Sequence, residues 1–117
     1  MDDSEYQGVQ EKMTNSKRKG TNGERELVNI LKSYGYDCRR SQQYCGYADG
    51  SLADVIGLDG IHIEVKRVER INIDVCMEQA IRDCQDDIPT VWHRRNNKPW
   101  YVTMRLEDWI DLYRNGH

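Results

Sequence analysis

Asp54, Glu64 and Lys66 form a D-x9-E-x-K constellation around a glycine-containing turn. In a strand, residues two apart lie on one face, roughly 7 Å from each other, so Glu64 and Lys66 project together. A hairpin would fold Asp54 back towards Glu64. Two carboxylates on neighbouring strands make a hard-oxygen site suited to Mg²⁺, completed by water, a backbone carbonyl and a phosphate oxygen. A lysine beside them can orient or help to deprotonate a water and can neutralise charge in a transition state. These are the parts needed to hydrolyse a phosphodiester. An E-x-K pair by itself is equally a Glu–Lys pair on an exposed strand face. The apolar D-V-I-G-L run that begins with Asp54 favours the site.

A third carboxylate, Glu24, has two readings. Thr21 and Glu24 stand at capping-box spacing, which predicts a helix starting near Thr21 with Glu24 as the reciprocal arm of the cap. On the same helical wheel Glu24 lies beside Leu27, Val28 and Leu31, the face expected to pack on a sheet. An acid on that face is costly unless it is paired or close to a metal.

The elements that must position these residues follow from periodicity. Leu27, Val28, Ile30, Leu31 and Tyr34 have amphipathic spacing, and Gly35 stops the helix. Residues 36–41 predict a short strand, residues 42–51 a loop, and residues 52–58 an apolar strand. Asp59-Gly60 is a turn signal. Residues 61–67 alternate strictly, with Ile61, Ile63 and Val65 on one face and His62, Glu64 and Lys66 on the other. His62 reads as a satisfied polar neighbour of Glu64 rather than a ligand. Asp74 is a candidate cap for a second helix, with Val75, Ala80 and Ile81 as its core side. Residues 90–95 and 99–104 predict two strands, and LEDWIDLYRNG a closing helix. Trp92, Trp100 and Trp109 are most simply core.

The chain has 117 residues, of which 38% are hydrophobic and 32% charged, the length of one modest domain. With a mean hydropathy of -0.88 it offers no membrane span. The acidic start MDDSEYQGVQEKM lacks the apolar region of a secretory signal. Four cysteines (Cys38, Cys45, Cys76 and Cys84) without a CxxC read as ordinary reduced thiols of a cytoplasmic protein, with zinc the lesser reading. The net charge of -3 conceals a partition: residues 17–45 carry +4, residues 74–88 carry -4 and residues 89–104 carry +3. Basic segments flanking an acidic middle suit a protein that holds a metal centrally and a polyanion at its edges. An ordinary mixed surface has the same totals.

Three segments together carry a resemblance. K-G-T-N-G-E-R-E-L-V (19–28), A-D-V-I-G-L (53–58) and I-E-V-K (63–66) resemble archaeal-type Holliday junction resolvases of the PD-(D/E)XK nuclease superfamily. Downstream, V-E-R (68–70), E-Q-A (78–80) and M-R-L-E-D-W (104–109) are similar to the short resolvase-like nucleases of phages and prophages. The resemblance implies an α/β fold of restriction-endonuclease-like type, a mixed central sheet flanked by helices. It covers roughly residues 17–115, which makes 17–117 a single nuclease domain; residues 1–16, polar and unpatterned, are expected to be a mobile tail. The implied activity is metal-dependent, structure-selective DNA endonuclease cleavage, foremost Holliday junction resolution, leaving 5′-phosphate and 3′-hydroxyl ends. Mg²⁺ is the implied cofactor, with Mn²⁺ as substitute, and the implied partners are a four-way DNA junction and a second copy of the chain. Glu24, Asp54, Glu64 and Lys66 match the catalytic positions, with Asp54, Glu64 and Glu24 as the metal-side acids.

Basic and polar residues elsewhere are candidate DNA contacts. Lys17, Arg18 and Lys19 precede the expected helix start, where free N–H groups also favour phosphate. Arg39 and Arg40 lead towards the 42–51 loop, one in and one out by alternation. Gln79 matches the family's second-helix position near the catalytic strand. His93, Arg94 and Arg95 read equally as DNA contacts or as a charged hairpin tip. Ala53 stands where the family has proline, and Ser41 and Ser51 are both candidates for the family's loop serine. Rival functions are a nuclease of this fold acting on other branched or nicked DNA, an inactive DNA-binding module, and a structural phage protein. A dead copy has no need of all four of Glu24, Asp54, Glu64 and Lys66.

Overall fold

The computed structural model describes residues 3–41 and 52–116. Helix α1 runs over Asp3–Ser33, and Leu27, Val28 and Leu31 form its buried stripe. It does not begin at Thr21. Residues 3–16, expected as a tail, are its first turns, because the stretch holds no proline and is rich in Glu, Gln and Lys. The capping-box reading of Glu24 falls with that start, since amides inside a helix already have partners. The stop at Gly35 is as expected. Gly35 sits at φ 96°, its N–H reaches Lys32 O at 2.9 Å, and Tyr36 N–H reaches Leu31 O at 3.1 Å. That is a Schellman motif, and it requires the left-handed region glycine favours.

Strands β1 (Arg39–Arg40), β2 (Val55–Ile56), β3 (Ile61–Arg67), β4 (Ile88–Arg94) and β5 (Tyr101–Met104) form one sheet in that order. The β3–β4 pair is parallel and the others are antiparallel. Helix α2 (Ile73–Asp83) supplies the crossover a parallel pair needs. Helix α3 (Leu106–Asn115) closes the chain. The expected order of helix, three strands, helix, two strands, helix is the order observed among the described residues. Strands β1 and β2 are shorter than their apolar runs suggested, two residues each.

The sheet is covered on both faces. Leu27, Val28 and Leu31 pack with Val55, Ile63 and Val65 on one. Cys76 and Ala80 of α2 pack with Val91 on the other. The core side of α2 therefore differs from expectation: Val75 and Ile81 are exposed and Cys76 is buried. Asn72, not Asp74, is the cap, its Oδ1 accepting from Val75 N–H at 3.3 Å. Two small side chains one turn apart, Cys76 and Ala80, let the helix lie close over Val91. Trp92 and Trp100 pack on the first core, whereas Trp109 is 47% exposed and stacked on Tyr113. Among the described residues, no helix is long and apolar enough to cross a membrane. The expected loop at 42–51, with Ser51 and Cys45, lies outside the described residues; Cys38, Cys76 and Cys84 are free buried thiols.

Candidate active site

The site is built where β2 meets β3. Leu58 O accepts from Ile61 N–H at 3.1 Å, closing the turn over Asp59-Gly60. The register that follows pairs Val55 with Ile63, and Asp54, the residue just before β2, brings its carboxyl into hydrogen-bond contact with that of Glu64. Asp54 is pinned through its backbone, whose N–H donates to Ile63 O at 2.9 Å and whose carbonyl accepts from Ser41 N–H at 3.0 Å. Its side chain reaches across β3, where Oδ2 accepts from Val65 N–H at 2.8 Å. Like charges brought into contact in this way repel.

That repulsion is visible in Asp54. Burial, then the Glu64 carboxylate, push its pKa up to about 7 from an ordinary 3.8, against the opposing effect of the Val65 amide. The Glu24 charge adds to the rise, as does hydrogen-bond contact between the Asp54 and Glu64 carboxyls. Glu64 itself is almost wholly buried. A polar face on β3 was expected, but not its burial. The cause is α2, which covers the His62–Glu64–Lys66 side.

Lys66 is half-buried on that side, beside Glu64 by alternation. Both charges bear on the Cys76 thiol, which burial pushes up, with Lys66 lowering it and Glu64 raising it. Gln79 is half-buried one turn further along α2 from Cys76. Asp54, Glu64 and Lys66 thus gather at the β2–β3–α2 junction.

Glu24 is near but differently engaged. Its Oε1 accepts from Arg40 Nε at 2.9 Å, with both side chains largely covered. Among the described residues, no three of His, Cys, Asp and Glu converge into a group able to hold a metal ion. Glu24 nevertheless stays close enough for its charge to raise the pKa of Asp54. Asp54 and Glu64 form the facing pair, and Glu24 borders it through its bond to Arg40. This Glu24–Arg40 pair was missed because it joins α1 to β1 across sixteen residues. Two basic residues on β1 opposite a helix acid were its only sequence sign.

The basic border is more paired than the sequence suggested. Lys17 lies in α1, its side chain outside those described. Arg18 is exposed, while Lys19 Nζ bonds Glu69 Oε2 at 3.4 Å. Arg39 is exposed and Arg40 half-buried, so the alternation holds. Arg94 is tied to Glu26, with Nε 3.0 Å from Oε1. His93 meets Thr103 Oγ1 at 2.8 Å, and burial lowers its pKa. Of that trio only Arg95 extends fully outward.

Arg67 was not singled out, although it directly follows E-x-K. Its Nη2 donates to Asn96 Oδ1 at 2.5 Å. With Arg18, Lys19, Asn22, Gly23, Glu26 and Asn96 it lines an open cleft of about 480 Å³. Gly23 makes that approach feasible, since a Cβ there would meet Arg67 Cβ at 2.7 Å.

The oxygens that Asp54 and Glu64 present are the hard donors Mg²⁺ takes, and Mg²⁺ commonly binds through one or two carboxylates plus water and phosphate. A buried carboxyl in contact with a half-buried one, the latter driven towards neutrality, is an arrangement that a divalent cation would relieve. The donor set fits the ion.

Residues 15–84 match the family model described as archaeal Holliday junction resolvase (Hjc). The match spans most of α1, strands β1 to β3, all of α2, and Glu24, Arg40, Asp54, Glu64 and Lys66. The mixed five-stranded sheet with three helices is consistent with the α/β restriction-endonuclease-like fold of that family. No curated protein matches the chain.

Proposed function

Because this chain belongs to the archaeal Holliday junction resolvase family, a family of nucleases that act on DNA junctions, we propose that it is a Mg²⁺-dependent endodeoxyribonuclease that cuts four-way junctions. The observation carrying the reading is the contact between the Asp54 and Glu64 carboxyls at the β2–β3 junction, with Asp54 pushed up to about 7. Asp54 and Glu64 would hold the cation, for which Mn²⁺ is a chemically suitable substitute. When bound, Mg²⁺ supplies Lewis-acid polarisation of the scissile phosphate and makes water a nucleophile at neutral pH.

The remaining roles belong to the chain. Lys66 presents an ammonium on the Glu64 side of β3, where it would neutralise charge growing on the phosphate. Arg40, steadied by Glu24, places a guanidinium at the border of the acid pair. Arg18, Lys19 and Arg67 with Asn96 would follow the DNA backbone along their cleft. Arg39 and Lys17 would add phosphate contacts, and Gln79 would meet substrate near Lys66. A junction has approximate two-fold symmetry, and paired nicks need two related sites, so the working form would be a homodimer in the cytoplasm. Leu106, Trp109 and Tyr113 are exposed on α3, which buries none of its own residues. That apolar face is a suitable surface for self-association.

The test is cleavage of a synthetic four-way junction beside linear duplex, nicked and flap DNA, with Mg²⁺ and with EDTA. Junction-selective nicking that needs Mg²⁺ and disappears in Asp54→Asn is expected. Equal cutting of all substrates would move the assignment to a general nuclease. Cutting in EDTA would remove the metal role.

A further inference from the structure

Beneath the acid pair, the Glu64 side of β3 holds a second polar contact that the proposed chemistry does not use. His62 is 3% exposed and Glu64 1%, and Nε2 of His62 lies 2.7 Å from Oε1 of Glu64. The two side chains share a strand face by their i, i+2 spacing, and α2 closes over them. Their surroundings on that face are apolar, with Cys76, Ala80 and Val91 forming the local core.

The strand is also locked where His62 sits. Its carbonyl accepts from Thr90 Oγ1 at 2.7 Å, and Thr90 Oγ1 accepts in turn from Trp92 Nε1 at 2.8 Å. His62 pairs with Pro89 in the parallel register, so neither its backbone nor its ring has much room to turn. A buried carboxylate with a free χ torsion would point in several directions. One held by a fixed N–H donor points in one. Two apolar side chains of similar volume would fill this space with no loss of stability, so the use of the pair lies in where it aims the carboxylate.

We propose that His62 is a positioning residue for the metal pair: its Nε2–H holds Oε1 of Glu64 and so directs the rest of that carboxylate towards Asp54. The inference rests on the proposed reading of Asp54 and Glu64 as cation ligands. It extends that reading to a residue that touches neither the cation nor DNA. An ionised Glu64 requires the donor tautomer at Nε2. Partners of this kind are worth about 10- to 100-fold in metal affinity when removed from a ligand.

The experiment measures Mn²⁺ binding by calorimetry, without DNA, in wild type, His62→Phe, His62→Gln, Asp54→Asn and Glu64→Gln. His62→Phe keeps the ring and loses the donor, and a loss of about 10-fold or more in Mn²⁺ affinity is expected. His62→Gln carries an N–H donor at similar reach and should restore most of it. In the Glu64→Gln background, His62→Phe should add no further loss. Should the phenyl ring unfold the protein, His62→Leu reads the same quantity in a smaller side chain. Wild-type Mn²⁺ affinity in the donorless variant, or equal loss in His62→Phe and His62→Gln, would overturn the role of His62. The Asp54→Asn arm separates the two claims. If it loses Mn²⁺ while His62→Phe does not, only the His62 inference fails. If Asp54→Asn binds as wild type does, the metal reading itself fails and takes the inference with it.

Discussion

The two faces of β3 are both buried, yet they serve different ends. Ile63 and Val65 meet α1 in an ordinary apolar core. On the opposite face, His62 and Glu64 are sealed under α2 just as completely. A hydrophobic face gains free energy from burial alone. A polar face gains it only if every group finds a partner, and here one acid faces another. The difference separates stability from chemistry along a single seven-residue strand. Changes on the Ile63 face should act through folding, and changes on the Glu64 face through cleavage.

The sharpest way to break that comparison is to swap one residue on each face. Glu64→Gln and Asp54→Asn should reduce single-turnover junction cleavage by at least ~10³-fold, which is roughly 4 kcal/mol in the barrier. Neither should lower the melting temperature of the metal-free protein, because each removes one of two opposed charges. Ile63→Ala should do the reverse. A large-to-small change in a packed core costs about 2–5 kcal/mol, while the folded fraction should cut at close to the normal rate. Measuring both quantities on one preparation of each variant decides the matter. An Ile63→Ala protein that folds normally but cannot cut would erase the distinction.

A second prediction sharpens the polar side. Asp54 rises from 3.8 to about 7 in the folded protein. The folded state therefore binds the proton more tightly than the unfolded chain does. Asp54 contributes stability that is complete below its unfolded pKa and is lost as pH rises through the folded value. Metal-free protein should thus melt at a lower temperature at pH 8 than at pH 6, the loss of stability between the two being about 1.4 kcal/mol. Asp54→Asn should flatten that profile. Adding Mg²⁺ at pH 8 should raise the melting temperature of wild type, since a ligand that binds only the native state stabilises it. A flat wild-type profile would mean that the two carboxyls are not opposed in solution.

How much of this was legible in the residues depends on how local the cause is. The alternation in IHIEVKR and the turn at Asp59-Gly60 are local, and they place Asp54, Glu64 and Lys66 on paired strands. The contact of the two carboxyls needed the register of Val55 with Ile63, which a turn signal leaves open by a residue or two. Burial of the Glu64 face was not legible, because it comes from α2, whose docking side was also misjudged: Cys76 took the place expected for Val75 and Ile81. Small side chains decide how close a helix can lie, and hydrophobic ranking ignores that. The start of α1 went wrong for a related reason. A capping-box spacing at Thr21 and Glu24 describes a cap only if the helix ends there, and no proline stops it from continuing back to Asp3. His62 as a polar neighbour of Glu64 was legible from the alternation, whereas the Glu24–Arg40 bond is a tertiary pairing between polar types that occur on any surface. Nothing in composition separates Glu24 and Arg40 from solvated residues.

The smallest expected effect concerns Glu24, which stands at the edge of the polar face and belongs to neither category. It bonds Arg40 at 2.9 Å, and its charge contributes to the raised pKa of Asp54. Glu24→Gln retains the shape and an acceptor oxygen but removes the charge. Two consequences for stability oppose each other: a charge-assisted bond becomes a neutral one, and a repelling charge leaves the neighbourhood of Asp54. The melting temperature should therefore move little. Cleavage should fall about tenfold, near 1.4 kcal/mol, because Arg40 is less firmly held at the border of the site. Metal affinity is the discriminating measurement. If Glu24 acts through Arg40, Glu24→Gln should bind Mn²⁺ nearly as wild type does, and Arg40→Ala should lower cleavage by at least as much. If Glu24 were itself a ligand, the same variant would lose Mn²⁺ affinity alongside Asp54→Asn. A variant with normal cleavage and normal metal binding would make the Glu24–Arg40 bond a purely structural tie between α1 and β1. The polar chemistry of this protein would then be confined to the buried face of β3 and the aspartate opposite it.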